Sequence, residues 1–172
     1  LDISGVIYNY TAVKNQVDQD ALWDALNDDR IDVLATDHAP HTLEEKANKY
    51  ASAPSGGPLV QHALLALLTA VGKGKITIEK LVEKACHNPA ILFDIEKRGY
   101  IREGYYADLV LVDLNEKTNV TKDSLLYQCK WSPFEGDTFD AKVQTTWVNG
   151  SCVYDNGVLI ENKVSKRLTF NR

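Results

Sequence analysis

Ile31-Asp32-Val33-Leu34-Ala35-Thr36-Asp37-His38-Ala39-Pro40-His41 is the stretch on which the fold of this chain turns. Its first seven residues form a short β-rich apolar run, the pattern of a strand buried in a parallel sheet. Upstream, Asp18 offers an N-cap to a helix carrying Ala21, Leu22, Ala25 and Leu26 on one face, and Asn27-Asp28-Asp29-Arg30 breaks it. Helix, short loop and buried strand in that order make an αβ unit. In α/β barrels and open α/β sheets, ligands bind at the carboxyl ends of the strands. This run delivers Asp37 there, with His38 and His41 directly after it. A carboxylate so placed can ligate a metal and move a proton, and a histidine can bind metal, shuttle protons or hold an anion. On the spacing alone, an alternative stands level: Asp37 caps the following turn and both histidines are solvated loop residues.

The next loop is Pro54-Ser55-Gly56-Gly57-Pro58. Adjacent glycines ahead of a helix leave backbone N–H groups bare, which suits an anion or a carboxylate. A plain turn before a helix start explains the same letters, but the loop follows Asp37–His41 directly, so both can face one pocket. Pro58 is predicted to open a helix over Leu59–Val71, apolar nearly all round and therefore buried. Gly72 and Gly74 end it. Thr77 is predicted to cap a helix through Ala85, and Pro89 to start another through Phe93. From Gly99 the texture becomes β. A strand is expected over Gly104–Asp113, and Lys142–Val148 and Ser151–Tyr154 flank Asn149-Gly150, the strongest short hairpin signal. Asp155-Asn156-Gly157 then turns toward Val158–Ile160. Residues 1–98 thus read as α/β and residues 99–172 as mostly β.

Composition narrows the class. The chain has 172 residues, 44% hydrophobic and 25% charged, with 19 Lys+Arg against 24 Asp+Glu and a net charge of −5. That is globular composition with enough apolar content for a core. The acidic balance and the lack of a basic cluster exclude a nucleic-acid footprint, and no apolar run approaches the roughly 18 residues of a membrane span. Leu1–Val6 lacks the order of a signal peptide. The chain contains no Met and begins at Leu1, which leads to the expectation that it is a piece of a longer protein. Three cysteines, Cys86, Cys129 and Cys152, without a CxxC pair fit reduced thiols in a cytoplasmic protein.

Thr36-Asp37-His38-Ala39-Pro40-His41, followed by Glu45-Lys46, resembles the dihydroorotases of the amidohydrolase superfamily. Asn88-Pro89-Ala90, Gly99-Tyr100-Ile101 and Gly104–Asp113 look like that superfamily's last barrel helix and its return to a small β domain. Trp131-Ser132-Pro133-Phe134-Glu135-Gly136 and Val148-Asn149-Gly150 look like dihydroorotase tail motifs. The resemblance runs from about Asp18 to the end of the chain. It implies the C-terminal part of a (β/α)8 metal-dependent hydrolase barrel over 1–98, and the C-terminal portion of a small β-sandwich over 99–172. The activity implied is the reversible, zinc-dependent hydrolysis of L-dihydroorotate to N-carbamoyl-L-aspartate, in a cytoplasmic homo-oligomer, a dimer.

By the same resemblance Asp37 is a metal ligand and the catalytic acid/base, His41 holds the substrate carboxylate, and Ser55 and Gly56 meet the pyrimidine ring through their backbone. Asn9 stands where the family has a substrate-contacting asparagine, although the Asn-Pro expected there is missing. Related hydantoinases and allantoinases generally lack a histidine at the position of His41, and their rings carry no carboxylate, which favours dihydroorotase. Their uncharged-ring chemistry is one alternative, and a non-catalytic, dihydroorotase-like assembly partner is another. The barrel needs roughly 250 residues and a catalytic zinc three protein ligands. The family's other ligands lie upstream, so this chain alone should be inactive. His62 and His87 are expected to serve structure, Asp108 to satisfy backbone N–H groups, and Trp131 and Trp147 to pack.

Overall fold

The computed structural model describes residues 15–171. Helix α1 spans Gln16–Asn27, and its cap is Asn15 rather than Asp18. The Asn15 side chain accepts the Asp18 N–H at 3.0 Å, and the Asp18 carboxylate accepts the Asn15 N–H at 3.3 Å. Asp18 thus closes a reciprocal capping box at the third helical position instead of opening the helix. The break comes where expected: Asp29 takes φ 66°, outside the right-handed helical region.

Ile31–Asp37 is not a strand, which corrects the sequence expectation. Among the described residues it has no ladder partner; the nearest thing is an isolated parallel bridge between His38 and Gly57. A strand exists only against a neighbour, and this segment's backbone bonds run to helices. Ile31 N–H donates to Ala25 O at 2.9 Å and Leu34 N–H to Lys84 O at 3.0 Å, while Asp32 O accepts the Asn88 amide at 2.7 Å.

The Lys84 carbonyl is available because of a slip in helical register. Helix α4, Ile78–Val82 and capped by Thr77 as expected, runs into a π-helical turn, Glu83–His87, and then into α5, Asn88–Leu92. Asn88 N–H bonds Glu83 O, five residues back, so Lys84 O loses its usual partner. The next residue that such a turn would offer is Pro89, which has no N–H. Leu34 fills the vacancy and ties the extended run to the helix.

Lys84 is fully buried, and its ammonium pairs with Asp29 at 2.8 Å; Lys80 pairs with the same oxygen at 2.7 Å. These hydrogen bonds, Lys80 first and Lys84 second, pull the Asp29 carboxyl down to about 2. Because the folded value lies below the unfolded one, near 3.8, the stabilisation is complete above pH 4 and is lost as pH falls toward 2. Asp29→Asn should therefore flatten the acid limb of the stability–pH curve between pH 4 and 2, read from urea midpoints.

Helix α3, Ala63–Gly72, begins four residues later than Leu59. Of its residues, Leu65, Leu68, Thr69 and Ala70 are buried, and the other large apolar residues are half-buried. Beyond Gly99 the chain forms β1 (Leu109–Asp113), β2 (Thr118–Asn119), β3 (Thr138–Phe139), β4 (Lys142–Val148), β5 (Ser151–Asp155) and β6 (Val158–Leu159). Strands β1, β4, β5 and β6 make one antiparallel sheet in that order; β2 and β3 pair separately. At the β4–β5 turn Asn149 and Gly150 have φ of 50° and 82°, the pair of positive angles a two-residue hairpin requires.

Residues 120–141 return to the helices. Val120, Leu125, Tyr127, Phe134, Phe139 and Ala141 share one core with Leu26, Leu65, Leu68 and Leu81. Among the described residues no helix is long and apolar enough to cross a membrane.

Candidate active site

Asp37 sits at φ 45°, a left-handed conformation that aspartate adopts more readily than most residues, and its side chain is exposed. Among the described residues nothing bonds to its carboxylate, so it caps no turn there.

His38 is committed to structure. Its Nδ1 accepts the N–H of Leu59 at 3.0 Å and of Val60 at 3.3 Å, which places the ring proton on Nε2. The Tyr127 hydroxyl accepts the Gln61 N–H at 2.9 Å. Two side chains thus satisfy three amides at 59–61, ahead of the start of α3 at Ala63.

The two candidate loops meet. Ala39 N–H donates to Gly57 O at 3.1 Å, next to the His38–Gly57 bridge. Gly56 has φ 93°, and a Cβ on it would lie 2.5 Å from the Ala39 Cβ, so only glycine allows this approach. The Gly56 carbonyl accepts the Lys46 ammonium at 2.8 Å, and Pro54 O accepts it at 2.7 Å. Lys46 is 8% exposed, and burial pushes its pKa down. It ends a one-turn helix, α2 (Leu43–Lys46), whose Thr42–Glu45 capping box is visible in the sequence. Ser55 is half-buried, and its hydroxyl has no partner among the described residues.

His41 is held at three of its polar atoms. Its N–H donates to Ala39 O at 2.9 Å, and its carbonyl accepts the Trp131 indole N–H at 2.7 Å. Its Nδ1 lies 3.3 Å from the same Glu45 oxygen that accepts the Thr42 N–H. What remains open, among the described residues, is Nε2. Asn9 lies outside the described residues.

The other two histidines serve structure. His62 is buried among Tyr127, Phe134 and Phe139, with Nδ1 3.2 Å from the Ser132 hydroxyl, and burial lowers its pKa. His87 bonds Gly99 O at 2.6 Å and stacks on Tyr100. Asp108 accepts the Asn149 N–H at 2.7 Å and pairs with Arg98. Trp131 packs, at 4% exposure, but its bond to His41 carried no sequence signal. Nor did the reach of Lys46 to residues 54 and 56.

Among the described residues no three His, Cys, Asp or Glu side chains gather into a metal site. Asp37 is a free carboxylate suited to be one ligand, whereas zinc takes three or four. These residues therefore do not hold a zinc by themselves.

Residues 10–153 match the Amidohydrolase family, and the chain belongs to that family. It is 45% identical over 139 residues to a dihydroorotase of Halobacterium salinarum, covering 80% of this chain and 32% of that protein. With a dihydroorotase of Clostridium acetobutylicum it shares 41% over 145 residues, covering 84% and 34%. The structure superimposes on an L-hydantoinase (dihydropyrimidinase) from Arthrobacter aurescens with a TM-score of 0.84 at 30% identity, over 92% of this chain and 36% of that one. The chain thus has the amidohydrolase fold, and it spans about a third of the length of the curated relatives it matches.

Proposed function

We propose that the chain is the C-terminal part of a dihydroorotase, which opens L-dihydroorotate to N-carbamoyl-L-aspartate and closes it again. The observation that carries this reading is the 45% identity to a dihydroorotase over 80% of the chain. In this reading residues 1–98 are the end of a (β/α)8 barrel and 99–172 the end of a β-sandwich, in a cytoplasmic homodimer. Families of this kind are metal-dependent. Zinc, with Asp37 as one ligand and the rest from outside the described residues, would supply an activated water.

The chain's own groups then have distinct tasks. Asp37, exposed and unbonded, carries the proton between the attacking water and the leaving ring nitrogen. His41, as the imidazolium with Nδ1–H facing Glu45, donates its Nε2–H to the ring carboxylate, and the backbone at Ser55 and Gly56, with Asn9, lines the ring. Lys46 fixes the Pro54–Ser55 and Gly56–Gly57 peptides. Because C=O and N–H of one peptide point in opposite directions, the Pro54 carbonyl bonded to Lys46 turns the Ser55 N–H away from it, toward a ligand.

His41 favours a charged ring over the uncharged ring of a hydantoinase. The intact enzyme, offered dihydroorotate and hydantoin in competition, should turn over dihydroorotate with the higher kcat/KM. The opposite order overturns the dihydroorotase reading. Turnover of neither supports the non-catalytic assembly partner instead.

A further inference from the structure

We propose that Trp131 is a positioning residue for His41, and through it a determinant of affinity for the substrate carboxylate. The proposal rests on the role given to His41 above.

The turn Asp37–His41 is held by close neighbours on every side but one. Ala39 bonds the 54–58 loop, His38 receives the amides of Leu59 and Val60, and the Thr42–Glu45 box closes the far end. Among the described residues the Trp131–His41 bond is the only hydrogen bond that reaches residues 37–45 from beyond residue 60. It arrives across 90 positions of sequence, from a loop that is itself firmly placed. Next to Trp131, the Ser132 hydroxyl lies against the buried His62 and accepts the Phe134 N–H at 3.2 Å. Nearby, Gln61 bonds both Ser124 O and Leu126 N–H.

The geometry at His41 shows what this bond does. With its N–H on Ala39 and its Nδ1 on Glu45, the residue still has freedom to rock about its own carbonyl. The indole N–H removes that freedom, because the Trp131 ring is 4% exposed and cannot follow. Nε2 is then aimed before substrate arrives, and binding does not have to order it.

The test compares Trp131→Phe, His41→Ala and the double variant in the intact enzyme. Trp131→Phe should raise KM for dihydroorotate about fivefold, the factor that a net neutral hydrogen bond is worth, at unchanged kcat. His41→Ala should raise KM more, and adding Trp131→Phe to it should change KM no further. An unchanged KM in Trp131→Phe overturns the proposal, and so does a further fivefold rise on the His41→Ala background. If His41→Ala itself leaves KM unaltered, the role of His41 falls, and the proposal with it. Should Trp131→Phe fail to fold, benzothienylalanine at position 131 keeps the ring and removes only the N–H, and the same comparison decides.

Discussion

Asp37→Asn in the intact enzyme should cut turnover by at least about a thousandfold, within the range that a positioned acid–base group contributes, while the melting temperature of the metal-free protein stays unchanged. The first half follows from the role proposed for Asp37, and the second comes from the structure. The carboxylate has no partner among the described residues, so without metal its replacement breaks no bond within them. Its φ of 45° belongs to a region that asparagine tolerates as readily as aspartate. A surface change of this kind is usually within about 0.5 kcal/mol of neutral. Steady-state rates and a thermal melt on one preparation decide it, and near-normal turnover removes Asp37 from the chemistry.

The second large effect belongs to Lys46, a buried residue beside the glycine loop. Lys46→Met keeps the length and apolar stem of the side chain and deletes the ammonium that bonds Pro54 O and Gly56 O. Carbonyls left unpaired inside a protein cost about 1–3 kcal/mol each. A loss of about 3 kcal/mol is therefore expected, read as a lower urea midpoint at unchanged slope. Lys49→Met, three positions on and exposed, should change stability by less than about 0.5 kcal/mol. Equal effects from the two would mean that the bonds to the glycine loop contribute nothing.

What the sequence showed and what it hid divide by range. The Asn149-Gly150 hairpin, the stop at Asn27 and the Thr77 cap were legible because each rests on the conformational habits of two to four adjacent residues. The pairing of the 37–41 and 54–58 loops was also legible, as successive loops with complementary chemistry. The strand at Ile31–Asp37 was misread because apolar letters report burial, whereas a strand needs a neighbour in register. The partners of the amides just ahead of α3 were hidden, because His38 and Tyr127 lie 21 and 66 positions away from them. Lys46 and Trp131 were missed for the same reason: no local pattern marks a side chain whose partner is a carbonyl elsewhere.

The core shared by residues 120–141 and the helices also sets a timetable. During synthesis the segment bearing His41 leaves the ribosome 90 residues ahead of Trp131, which at ordinary elongation rates is a lead of roughly 5–20 s. Through that interval His62 lacks Ser132 and Tyr127, the amide of Gln61 lacks its hydroxyl, and the apolar face of α3 lacks Phe134 and Phe139. The nascent chain therefore carries an open, sticky helix until residues 127–139 emerge. A stop codon before Trp131 should yield not a weakened domain but an unfinished one, exposed to chaperones and proteases.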